Sequence, residues 1–146
     1  MILQLTPNTH PILHERVKPC SKDLDRPEMS RILKENMIHY EGVGLSANQI
    51  GIGERVFIMM LNMETEETIT CFNPRIIKRY EDDVWCEEGC LSFPDEIINI
   101  QRPDRIVVKY EDEDKKDHKI KLDGFAARVF QHEFDHLNGI DFTQRQ

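Results

Sequence analysis

The sequence predicts an α+β fold in a single domain, residues 1–146, with mostly antiparallel strands around a late helix carrying an HExxH motif. Three observations predict it. Helical periodicity is confined to one early stretch and one late stretch. Six short apolar runs lie between them, separated by turn residues. No repeat, linker or low-complexity segment divides the 146 residues, a length that fits one domain with a substantial core.

Residues 1–24 alternate short apolar groups with Pro7, Pro11 and Pro19, the pattern of an extended arm packed over the domain. Asp25 and Glu28 with Pro27 between them read as a helix start with a capping box. Met29, Ile32, Leu33, Asn36, Met37 and Tyr40 recur at helical spacing, which predicts a core-facing helix over 26–40 stopped by Gly42. The stretch 42–53 is glycine-rich but has no following Lys-Ser/Thr, so it is no phosphate loop. Strands are expected at Arg55–Leu61, Thr68–Phe72, Arg75–Tyr80, Ile97–Ile100, Ile106–Tyr110 and His118–Leu122, with Pro74 weakening the second join. Asp112–Asp117 is a charged turn. Asp123 caps the last helix and Gly139 ends it.

Charge excludes some function classes. The chain has 27 acidic and 19 basic residues and a net charge of −8, which disfavours binding led by nucleic-acid phosphates or by an anionic membrane surface. No apolar run approaches a membrane span, and the N-terminus lacks signal- or transit-peptide character. A cytoplasmic protein is expected. There the four cysteines (Cys20, Cys71, Cys86, Cys90) read as free thiols or ligands. A Cys86–Cys90 disulfide is the alternative for an oxidising compartment.

The chemistry centres on Gln131–Gly139, QHEFDHLNG. His132 and His136 are four residues apart and project about 40° apart from one helical face. Two imidazoles so placed can grip one metal ion, with Glu133 beside them to handle protons of a bound water. The alternative is an amphipathic helix with two surface histidines. A catalytic site of this type needs a third protein ligand. The extended protease pattern HExxHxxGxxH matches at Gly139 and fails at Phe142, and Asp141 is the sole downstream carboxylate. The third ligand is therefore expected upstream, among the cysteines, His10, His14, His39, His118 and the carboxylates. Cys90 stands out because Glu88-Gly89-Cys90-Leu91-Ser92 lets the backbone approach closely between strands. A buried structural thiol is the alternative.

Three stretches together resemble the peptide deformylase family: Gly42-Val43-Gly44-Leu45-Ser46-Ala47-Asn48-Gln49, Glu88-Gly89-Cys90-Leu91-Ser92 and Gln131-His132-Glu133-Phe134-Asp135-His136-Leu137. Their order and separation match, and the similarity runs from about residue 2 to 142. Ser46 stands where the family motif has a small alanine. The end at Gln146 reads as a short form lacking the C-terminal extension of many members. In some bacterial members that extension is a helix associated with ribosome docking, so ribosome attachment is in doubt here. A shortened viral version, acting in a host cytoplasm, is one possible origin.

The resemblance implies hydrolysis of the N-formyl group from N-formylmethionyl nascent peptides, releasing formate and a free N-terminal Met. Carried over by position, Cys90, His132 and His136 bind one divalent metal, Fe²⁺ in vivo, which Zn²⁺, Ni²⁺ or Co²⁺ can replace. Glu133 is the general base and acid, and Gln49 and the Leu91 amide hold the carbonyl oxygen. Val43, Gly44, Cys86, Phe125 and Val129 are expected to line the methionine pocket, with core packing the alternative for each. The resemblance suggests that Glu41 and Arg102 pair near the Cys90 loop, an ordinary surface ion pair being the alternative, and Gln131 and Asp135 are candidates to orient a histidine, solvated groups being the alternative. A monomer is expected, with no direct nucleic-acid or membrane partner.

Overall fold

The computed structural model describes residues 1–146. Helix α1 spans Arg26–His39, and the side chain of Asp25 accepts from the Glu28 amide at 3.1 Å. Only this half of the expected capping box forms, because Glu28 pairs with Arg31 instead. The helix closes with a left-handed residue, but at Glu41 (φ 57°) rather than Gly42. Glu41 N–H reaches Ile38 O (3.0 Å) and Gly42 N–H reaches Met37 O (2.9 Å), the paired bonds of a Schellman closure.

Seven strands follow: β1 Gly44–Ser46, β2 Val56–Met60, β3 Thr68–Arg79, β4 Asp83–Cys90, β5 Phe93–Pro103, β6 Arg105–Glu111 and β7 Asp117–Asp123. Helix α2 spans Gly124–Leu137. Five strands form one antiparallel sheet in the order β1-β2-β3-β6-β7, while β4 and β5 form a separate two-stranded hairpin. The expected α+β class and the late helix both hold.

Two expectations change. The runs 68–72 and 75–80 are one strand, because a bulge between Phe72 and Arg75 absorbs Pro74 and places Asn73 in the left-handed region (φ 49°). Asn73 stays there by accepting from Cys20 N–H (2.8 Å) and donating to Glu111 (3.2 Å). The whole of β4, together with much of β5, was absent from the expected strands.

The large sheet is packed on both sides at its β1–β2 end. Strand β2 reads VFIMM without polar alternation because Phe57 and Met59 face Phe130 and Leu137 of α2, while Val56 and Ile58 face Met29, Leu33 and Met37 of α1. Phe57 and Phe130 meet edge to face at 5.0 Å. α2 therefore lies against the sheet with its other flank turned to the β4–β5 hairpin. It ends as expected at Gly139, whose φ is 75°. Any Cβ there would stand 2.7 Å from the backbone of His14 and Glu15. No helix is long and apolar enough to cross a membrane.

Candidate metal centre and substrate cleft

One turn of α2 separates His132 from His136, and their ring centroids lie 5.0 Å apart. Cys90 is the last residue of β4, not a loop residue between strands as its glycine neighbour suggested. Its Sγ lies 3.3 Å from His136 Nε2, and one donor atom from each of Cys90, His132 and His136 falls within a 4.8 Å cluster. Of the upstream candidates for a third donor, this is the one placed beside both histidines.

A carboxylate orients one of the imidazoles. Glu88 Oε1 lies 2.9 Å from His132 Nδ1, which leaves Nε2 of that ring to the cluster. Glu88 also receives Arg102 (2.6 and 3.0 Å) and Arg128 (2.6 Å). Burial opposes the charge on Glu88, yet His132 and Arg102 hold it below the usual carboxylate range. His132 is correspondingly held above the usual imidazole range: burial works against it, and contacts with Cys90 and Glu88 prevail. Burial, then the neighbouring His132 charge, pushes His136 well below the imidazole range, so it is a neutral donor.

Arg102 continues to Asp135 (2.9 Å), which also accepts from Arg145 (2.9 Å). The expected Glu41–Arg102 pair therefore does not form. Asp135 holds arginines rather than a histidine, and Gln131 donates to the carbonyls of Pro103 and Ala127. Glu88 does the orienting that had been expected of those two.

The donor set fits a divalent transition metal. One soft sulfur and two imidazoles converge, one ring is locked by a buried carboxylate, and Cys90 and His132 open onto a cavity.

Gln49 sits in a 3-10 turn, Ala47–Ile50, that follows β1. Its Oε1 accepts from the Ser46 amide and hydroxyl (both 3.0 Å), fixing which end of the carboxamide faces inward. Its Nε2 points to Ser92 Oγ (2.9 Å) and lies 3.7 Å from Cys90 Sγ. Gln49 thus ties its own turn and also presents a donor to the cluster.

Gln49, Cys90 and His132 line a cavity of about 870 Å³. All five expected pocket residues, Val43, Gly44, Cys86, Phe125 and Val129, line it, as do Gln49, Leu91, His132 and Glu133. Glu133 is 4% exposed and its Oε1 has no hydrogen-bond partner. Burial pushes its carboxyl up to about 7, against the pull of His132; a cation held by the adjacent imidazoles would draw it back down. Gly44 makes this placement possible. A Cβ on it would lie 2.8 Å from Glu133 Oε2 and 3.0 Å from Val129 Cγ1.

Arg128 and Ser92 were not singled out from sequence. Arg128 lines the cavity and donates to Glu88, Ile100 O (3.1 Å) and Val84 O (2.7 Å), clamping both hairpin strands to α2. A period-two count back from Cys90 along a strand would have placed Glu88 and Cys86 on the same face as the sulfur.

Comparison with known proteins decides the family. The polypeptide deformylase family model matches residues 2–146. The chain belongs to the polypeptide deformylase family. Family members are hydrolases that remove the formyl group from nascent peptides. A peptide deformylase of Thermotoga sp. (strain RQ2) is 43% identical over 137 residues, spanning 92% of this chain and 81% of the relative. The crystal structure of the Thermotoga maritima deformylase superposes with a TM-score of 0.92 at 38% identity, over 99% of this chain and 97% of that one. A Met-Ala-Ser-bound class I type b deformylase from Acinetobacter baumannii gives 0.91 at 30% identity, over 100% and 99% of the two chains.

Proposed function

We propose that residues 1–146 form one catalytic unit that hydrolyses the formamide bond of N-formylmethionyl peptides, with Cys90, His132 and His136 holding one divalent ion. The observation that carries this reading is the convergence of those three donors, two of them and buried Glu133 lining the cleft. When held there, such an ion would supply Lewis acidity, lowering the pKa of water from 15.7 toward about 7.

The residues divide the remaining work. Glu133 takes a proton from the attacking water and delivers it to the amine nitrogen as the formyl C–N bond breaks. Buried beside the ligating imidazoles and without a hydrogen-bond partner on Oε1, its carboxyl is placed to do both. As charge builds on the formyl oxygen, the Gln49 carboxamide and the Leu91 N–H donate to it, and one such donor is typically worth about 10²–10³-fold in rate. Val43, Gly44, Cys86, Phe125 and Val129 surround the methionine side chain. That wall selects by shape, so discrimination against leucine-like side chains is modest. Formate and a free N-terminal Met leave.

Fe²⁺ is the resident ion in this proposal, with Zn²⁺, Ni²⁺ or Co²⁺ able to replace it; the thiolate suits soft ions and exposes the site to oxidation. The enzyme works as a monomer in the cytoplasm.

Anaerobic purification with metal analysis, followed by formate release from formyl-Met-Ala-Ser, tests the reading. About one ion per chain is expected. Glu133→Ala keeps the ion and loses turnover by about 10³-fold or more, while Cys90→Ala loses the ion itself. Undiminished turnover in Glu133→Ala, or a metal-free wild type, refutes the mechanism. Cleavage of internal peptide bonds would instead assign a metallopeptidase.

A further inference from the structure

The net charge of −8 averages over a segregated surface. On the sheet face opposite α2, beyond the end of α1, Arg75 of β3 pairs directly with Lys109 of β6, and Lys109 with Lys119 of β7. Directly opposed residues share a face, so three cations form a row across three strands spaced about 4.8 Å apart. The next row is Lys78, Val107 and Lys121. Lys78 and Lys121 converge with Arg105 on the ring of Tyr80, at 4.5, 5.2 and 4.6 Å. Arg105 alone among these cations has an ion-pair partner, Asp82 at 2.6 Å. The acidic groups on the face stand at its ends: Asp117, Asp123, and Glu111, which is already paired with Arg26.

Like charges opposed across a ladder cost stability. Lysines on an edge strand such as β7 have an ordinary use, since they deter edge-to-edge pairing. That use does not extend to Arg75 and Lys109, which lie on interior strands. In a chain with 27 carboxylates, opposite charges were available for those positions.

We propose that this face is a docking surface for single-stranded RNA, with the Arg75–Lys109–Lys119 row on backbone phosphates and Tyr80 against a base. Two features favour RNA over an anionic membrane. The cations surround an aromatic ring, the combination that grips unpaired bases, and the rest of the strongly acidic chain repels a flat anionic surface. None of Arg75, Lys109, Lys119 and Tyr80 lines the cleft, so RNA and peptide can be held together.

The test is fluorescence anisotropy of a labelled single-stranded RNA of about 12 nucleotides, titrated with the metal-loaded full chain at several salt concentrations. Three phosphate contacts predict a log–log salt slope of about −2. The triple variant Arg75→Glu, Lys109→Glu, Lys119→Glu keeps a like-charged row, and hence a similar pairing cost. It is expected to weaken binding at least about tenfold while deformylation of formyl-Met-Ala-Ser stays at the wild-type rate. Tyr80→Ala is expected to weaken RNA binding without changing the salt slope. Absence of wild-type binding at low salt, binding that the triple variant leaves intact, or tighter binding to phosphatidylserine vesicles than to RNA would each overturn the proposal. If the triple variant fails to fold, Lys119→Gln with Lys121→Gln, both on exposed positions, must still lower the affinity and the slope.

Discussion

At Gly44 the missing side chain is what admits Glu133. Its Cβ position is 2.8 Å from a buried carboxylate oxygen, closer than ordinary packing tolerates, so Gly44→Ala must push Glu133 aside. Misplacing a catalytic group by about 1 Å can cost about 10²-fold. Gly44→Ala is therefore expected to lower kcat for formyl-Met-Ala-Ser by about that factor, with metal content near wild type by elemental analysis. At this scale the sequence was informative where spacing is local. His132, Glu133 and His136 lie within five positions of one another, and a helix fixes their relation. Glu88 and Arg128 act across the gap between β4 and α2, and no local pattern reports which charges will meet there. The same limit explains the mistaken partners for Arg102 and Asp135: a buried guanidinium takes whichever carboxylates the fold delivers.

Elements were legible in proportion to how they are buried. Helix α2 and strand β2 carry strong apolar signals because both pack into the core. Strand β4 exposes five of its eight residues in succession, Asp83–Glu87, so hydropathy gives it no alternation to read. It is a strand because β5 pairs with it, a relation between segments rather than a property of either. The end of α2 makes a prediction at this scale. Gly139 combines a left-handed backbone with a Cβ direction blocked by His14 and Glu15. Its amide closes the helix on His136 O at 3.1 Å, and Ile140 N–H closes it on Asp135 O at 2.9 Å. Gly139→Ala is expected to destabilise the protein by about 2 kcal/mol or more in urea unfolding, and to disturb His136 with it.

For the molecule as a whole, the cleft is assembled from three distant segments: the turn after β1, the end of β4, and α2. An ion held by Cys90, His132 and His136 would bind only the assembled form. At a free concentration about 100 times its Kd, such an ion adds about 2.7 kcal/mol. Chelation is therefore expected to lower Tm by about 5–10 °C for a chain of this size, measured by calorimetry with and without a strong chelator. Cys90→Ala should show no such difference. The separateness of the β4–β5 hairpin has a further effect. It shares no ladder with the large sheet and is fastened to α2 by a knot of charges around Glu88 and by the sulfur of Cys90. When Cys90 is oxidised beyond sulfenate, the sulfur is lost as a soft donor. One injury would then remove a metal donor and a contact between the hairpin and α2 together.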